Sequence, residues 1–359
     1  MKYKKNITNL GKFDNSKKVN NKRNYIYIGI IFIVTVIILS SLFLNDRYEG
    51  HDTIFHVSNI IKLSETISFD SIFGDSIIKF EIDNFNYGLF GYGVRLFYPK
   101  IPHLFAAYIY LLLKDIYLSM NLIYFVTTFL SGIFVYFLSN KIYNNKNIAL
   151  LSSIIYITIP YHICEIYIRD AIAENFMFMV LPMIFLGLYN LKEGNFLKFY
   201  ILFSLGYIIG MNSHLVSMLY YTILIGIFIL YYKDVFFKKD KIKALLFSAV
   251  IVTVMVLPSL VTLLEHKRLD LYRVFTPIFV DVIDVKSSVI EFSSLYNQEV
   301  IYNDIMTYFN MSSVILFVFS TILFLFNKND RFRKDKKIFL LLMFIIVNFM
   351  CSNIIIFSS

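Results

Sequence analysis

Between Tyr25 and Leu44 the chain runs for twenty residues without a charged side chain. As a helix such a run is about 30 Å long, which matches the hydrocarbon thickness of a bilayer. Backbone N–H and C=O groups in lipid must find partners within the protein, so a run of this kind is expected to be helical. Further apolar stretches follow at about 101–113, 119–138, 148–163, 172–191, 198–211, 214–232, 244–264, 311–326 and 338–357. The expected fold is an all-α polytopic membrane protein with about 9–10 transmembrane helices.

Composition agrees with this. The 359 residues are 58% hydrophobic and only 16% charged, whereas a soluble domain carries about a quarter charged residues. The net charge is +9, but the lysines sit in short blocks between apolar runs. The positive-inside rule accounts for that pattern, and no nucleic-acid partner is expected. Trp is absent, and Tyr (27 residues) can serve as the interfacial anchor. Cys164 and Cys351 lie in or beside apolar runs and suggest neither a disulfide framework nor a metal knuckle.

Residues 1–23 form a basic tail, and the run after them is too long for a signal peptide and lacks a small-residue cleavage site. It reads as a first anchor with a cytoplasmic N-terminus. A membrane domain then spans 24–264 and carries a first outer loop at 46–100. The basic blocks at 233–243 and 327–337 are expected inside, which puts a second loop, 265–310, outside and leaves C-terminal helices over 311–359. Residue 50 is then outside and residue 233 inside, so an odd number of crossings joins them, yet six apolar segments lie between. The 101–113 segment is short for a span and is the first candidate to lie flat; a merged 198–232 is the second.

Polar residues gather in a few places. Asp46, Glu49 and Asp52 follow the first helix, with His51 and His56 close by. Such acids can bind a divalent cation or take a proton from a hydroxyl. Asp52 also precedes an amphipathic pattern over Thr53–Ile67, where an ordinary N-cap would stand. A zinc site from His51, Asp52 and His56 is a further alternative. In YHICEIYIRDAIAEN (161–175), Glu165 and Arg169 are spaced i,i+4 with the acid first, and Asp170 and Glu174 share that spacing with like charge. Arg169 reads either as a structural ion-pair partner or as a phosphate clamp. Asn212, Ser213 and His214 would bond between helices or contact a polar substrate. Glu265 to Arg268 would meet lipid phosphate or form a solvated loop edge. No GxxxxGK[ST] or GxGxxG motif is present, which disfavours an ATP-driven pump. No long-range repeat is visible either, and that disfavours an inverted-repeat transporter.

In combination, GHDTIFHV (50–57), GLFGYGVRLFYPKIPH (88–103), PYHICEIYIRDAIAE (160–174) and NSHLVS (212–217) resemble the bacterial membrane proteins called "6-pyruvoyl-tetrahydropterin synthase-related" and their YfhO-like relatives. The likeness covers roughly 24–265. That family in turn resembles the GT-C glycosyltransferases. The resemblance implies a GT-C-like bundle in the bacterial plasma membrane, taking a sugar from a polyprenyl-phosphate donor to an extracytoplasmic envelope acceptor. It implies Asp52 as the catalytic acid–base residue or ligand of a divalent cation, with His51 and His56 in support. Tyr98, Arg169, Glu174 and His214 match its substrate-side motifs, while Lys100 stands where a second proline is usual. Relatives usually run longer, so a fragment, a split gene or a short variant is expected. The alternative is a non-catalytic transporter or scaffold subunit for envelope polymers, working with a partner membrane subunit.

Overall fold

The computed structural model of the protein describes residues 2–44, 49–67 and 100–268. The expected second outer loop beyond residue 268, the helices over 311–359 and Tyr98 lie outside the described residues. The described chain is helical, and no strand occurs among the described residues. The helices are α1 (Lys2–Leu44), α2 (Thr53–Thr66), α3 (Ile101–Leu113), α4 (Ile116–Tyr143), α5 (Lys146–Ile157), α6 (Pro160–Tyr167), α7 (Ile172–Lys192), α8 (Phe196–Met211), α9 (Leu215–Tyr231), α10 (Lys233–Phe236) and α11 (Lys239–Arg268). Four are long and apolar enough to cross a membrane: α1 from Arg23, α4, α7 and α11 to Ser259. The pair α5 and α6, bent by 43°, makes a fifth if counted as one broken span. The break falls at Pro160, where the sequence pattern predicted one uninterrupted segment over 148–163. Proline cannot donate the backbone bond that would continue α5 and is well placed in a first helical turn.

The chain divides into two compact units, Met1–Met218 with Asp240–Val256, and Leu219–Lys239 with Leu257–Ser359. Within the described part of the second unit, Phe228 packs against Tyr232 and Phe236 in tilted ring pairs at centroid distances of 5.0 and 5.9 Å.

The first unit is built on α4 and α7. Small residues let its helices approach closely, as helices do in membranes. A side chain at Gly132 of α4 would meet Ile31 of α1 at 2.7 Å and the Ser153 hydroxyl of α5 at 3.2 Å. Ser153 Oγ donates to the Gly132 carbonyl at 2.6 Å across that contact. Within α8, residues Tyr200–Ser204 form a π turn. Its last residue, Ser204, bonds Ser248 of α11 at 3.2 Å.

Polar anchors at the helix ends define two faces of this unit. At one, Arg23 and Tyr27 of α1 bond Asn147 of α5, Lys141 of α4 pairs with Glu193, and Lys241 donates to the Lys192 carbonyl at 2.7 Å. At the other, Asn121 of α4 donates to the Leu42 carbonyl of α1 at 2.7 Å. There too Ile101 N–H at the start of α3 donates to the Asn212 carbonyl after α8, at 3.0 Å. Helix α3 closes on a left-handed Lys114 and hands directly to Asp115, the N-cap of α4. It therefore begins and ends near this second face, and its 13 residues reach only about 20 Å.

Candidate functional site

The second face gathers side chains from five places in the sequence around the turn between α6 and α7. The centre is Arg169, just past the end of α6. Its Nη1 donates to both carboxylate oxygens of Glu165, at 3.1 and 2.9 Å. Its Nη2 lies 3.4 Å from Asp52 Oδ2 and 3.3 Å from Glu174 Oε1. One guanidinium thus serves three carboxylates from three segments, and the fork geometry of arginine suits that task. Burial works against the charge on Arg169, but Glu165, Glu174 and Asp52 outweigh it and hold its pKa above the ordinary value.

The three acids differ in access. The Glu165 side chain is fully buried, that of Glu174 is partly exposed at 18%, and Asp52 keeps 38% of its side chain exposed. Asp52 does occupy the N-cap position of α2, but its carboxylate makes no capping bond to the helix; it turns to Arg169 instead. Burial raises its pKa, the Arg169 charge opposes that, and Glu174 adds to it. The result is a solvent-reachable carboxylate with more affinity for a proton than an ordinary aspartate.

A backbone clasp sets this position. His51 N–H donates to the Ile168 carbonyl at 3.1 Å, and Asp52 N–H to the Arg169 carbonyl at 2.9 Å. Gly50 makes the approach possible: a Cβ there would stand 2.7 Å from Asp170 Cβ and 2.8 Å from the Ile168 carbonyl oxygen. Asp170 completes the clasp. It sits at φ 60°, a left-handed backbone that Asp tolerates better than most residues. Its buried carboxylate accepts from Thr53 Oγ of α2 and from the Tyr124 hydroxyl of α4 at 2.7 Å. The Thr53 hydroxyl oxygen in turn accepts the Gly50 N–H at 2.7 Å.

Sequence spacing alone put Asp170 and Glu174 on one helical face. The left-handed turn separates them: Asp170 faces Thr53 and Tyr124, and Glu174 faces Arg169 and His214. Of the supporting residues named for Asp52, His51 is exposed. His56 is buried, and its Nδ1 meets Nε2 of His103 at 2.7 Å. Among the described residues no group of three or more His, Cys, Asp or Glu side chains is arranged to hold a metal ion. A zinc trio of His51, Asp52 and His56 therefore has no geometric support. Cys164 is half-buried. His214 Nε2 lies 3.5 Å from Glu174 Oε1, and burial lowers its pKa against the opposing pull of Glu174.

The positioning residues Gly50, Thr53, Tyr124 and Asp170 were not separated from their neighbours by sequence reasoning. The one available signal was an Asp in a short polar break between two apolar helices, where a buried carboxylate needs partners. No family model matches the chain, and no curated protein matches its sequence.

Proposed function

We propose that the protein is a GT-C-type membrane glycosyltransferase that moves a sugar from a polyprenyl-phosphate donor to an extracytoplasmic envelope acceptor. The observation that carries this reading is the set of three carboxylates on Arg169, of which Asp52 is the most open to solvent. Asp52 takes the proton of an acceptor hydroxyl, the hydroxyl oxygen bonds to the sugar carbon, and the lipid phosphate leaves with the electron pair of the broken bond. A phosphate leaving group needs a compensating cation. Arg169 Nη2, whose two contacts are longer than those of Nη1 to the nearer Glu165 oxygen, is the nitrogen that turns toward it. Tyr98, Glu174 and His214 complete the substrate side of this reading.

Orientation follows from charge. Arg23, Lys141, Lys192 and Lys241 mark the face away from the Arg169 cluster, and basic residues favour the cytoplasm. The cluster then lies outside a bacterial plasma membrane, with the N-terminus inside. Helix α3, with both ends near the outer face, is the apolar segment that does not cross, which makes the crossings between residues 50 and 233 odd.

The test is complementation of a deletion strain with wild type, Asp52→Asn or Asp52→Ala, reading cell-surface glycans and checking membrane levels by blot. Loss of a glycan with both variants, at normal protein levels, supports the transferase. Wild-type behaviour of Asp52→Asn overturns it. A second reading, a non-catalytic scaffold for envelope polymer assembly, is favoured by one observation: Arg169 already has three acidic partners, as a purely structural network would provide.

A further inference from the structure

His214 occupies an unusual position at the first turn of α9. The helix begins at Leu215, so His214 stands at its N-cap and Ser217 at the third helical residue. The Ser217 N–H donates to His214 Nδ1 at 3.2 Å, the bond that a Ser, Thr, Asp or Asn cap normally accepts through oxygen. The Ser217 hydroxyl lies 2.8 Å from the same nitrogen. A backbone N–H can only donate, so Nδ1 must carry its lone pair, and in the neutral ring the proton resides on Nε2. Nε2 is the nitrogen that faces Glu174. The start of α9 thus selects the tautomer that presents N–H to the carboxylate.

We infer that His214 holds Glu174 and the first turn of α9 together, and that its capping of α9 works only while the imidazole is uncharged, so that the first turn of α9 is released by acid. Protonation puts a hydrogen on Nδ1. The Ser217 hydroxyl can rotate and accept it, but the Ser217 N–H cannot, so the capping bond is lost. The new charge also stands at a helix N-terminus, where the helix dipole disfavours a cation. Glu174, which attracts the charged ring, opposes this loss, while Arg169 repels the charge and adds to it. The charged groups facing His214 are Glu174 of α7 and Arg169 beyond α6. Helix α3, which reaches the same turn through Ile101 on Asn212, carries Lys100 and His103 at that end. The lowered affinity of His214 for a proton agrees with a cap that resists charging. This inference stands whether or not the transferase reading does.

Hydrogen–deuterium exchange on the full-length protein in detergent tests it, following peptides that cover 211–219, with protection corrected for the intrinsic pH dependence of exchange. In wild type, protection at Ser217 should fall several-fold, the size of a lost N-cap, as the pH is lowered from about 7.5 through the ordinary histidine range and below it. His214→Asn and His214→Ser keep an oxygen cap that does not titrate, so either should keep its protection across that range. Nitrogen-15 chemical shifts of labelled histidine give a second readout, in which the resonance lost in either variant should report an Nε2–H tautomer at neutral pH. Wild-type protection that does not change with pH overturns the inference. So does an Nδ1–H tautomer, or an equal fall in a variant that lacks the imidazole.

Discussion

His56 Nδ1 and His103 Nε2 meet at 2.7 Å in a buried contact between α2 and α3. At that distance one nitrogen donates and the other accepts, so the pair shares a single proton between two rings. The contact ties the helix that follows the clasp to the helix that precedes α4, and Phe55 packs against both rings, with centroids 5.3 and 5.9 Å away.

Replacing His103 with Phe keeps a ring but removes this bond. The expected cost is about 1–3 kcal/mol, the range for a lost buried partner. Thermal unfolding of the purified protein checks it, and an unchanged midpoint would remove the pair from the list of interactions that hold α2 in place.

Gly50→Ala is expected to loosen the clasp. The new methyl would stand 2.7 Å from Asp170 Cβ and 2.8 Å from the Ile168 carbonyl, and both are on or bound to the backbone turn that would have to move. Overpacking of this kind costs about 1–3 kcal/mol. Hydrogen exchange at the His51 and Asp52 amides should rise in the variant, because their bonds to Ile168 and Arg169 are the ones displaced.

Two acids on the same arginine should separate structure from chemistry. Glu165 is fully buried, with both oxygens on Arg169. Glu165→Ala should destabilise by about 3 kcal/mol or more, because a buried charge loses its principal partner. Asp52 is part-exposed, and Asp52→Asn should cost less than about 1 kcal/mol. Denaturant titration of both variants gives the comparison; equal losses would refute the assignment of Asp52 as the accessible member.

The raised pKa of Asp52 has a definite sign for stability. A carboxyl whose folded pKa exceeds its unfolded value binds its proton more tightly when folded. Its contribution is therefore most favourable below the unfolded pKa, and is lost as pH rises through the folded one. Asp52→Asn should remove that dependence, so the difference in stability between variant and wild type should shift in favour of the variant from acid to neutral pH. Any activity that needs Asp52 as a base should rise with pH at a midpoint above the ordinary aspartate range. A pH profile of either quantity tests this.

At Asp170 the backbone and the carboxylate can be tested apart. Asp170→Gly relieves the positive φ but removes the acceptor for Thr53 and Tyr124. Asp170→Asn tolerates the same φ and keeps one carbonyl oxygen. If the carboxylate latches α2 to α4, the Asn variant should retain more stability than the Gly variant in thermal unfolding, by about 1 kcal/mol for the bond retained.

Apolar length and lysine placement determined the helices. The predicted segments at 101–113 and 172–191 appear as α3 and α7, because a run of that composition has few alternatives to a helix. The polar breaks at 50–57, 160–174 and 212–217 could also be read directly, since charged residues between apolar runs stand out. The Glu165–Arg169 pair followed from i,i+4 spacing alone. Tertiary structure decided the rest. Whether Asp52 capped its helix or turned to Arg169 depended on a clasp between residues more than a hundred positions apart. The separation of Asp170 from Glu174 depended on one left-handed residue, and the choice of His103 over Asp52 as partner for His56 depended on how α2 lies against α3. Spacing reports which side chains share a local face; it carries no information on which distant backbone will come within hydrogen-bond reach.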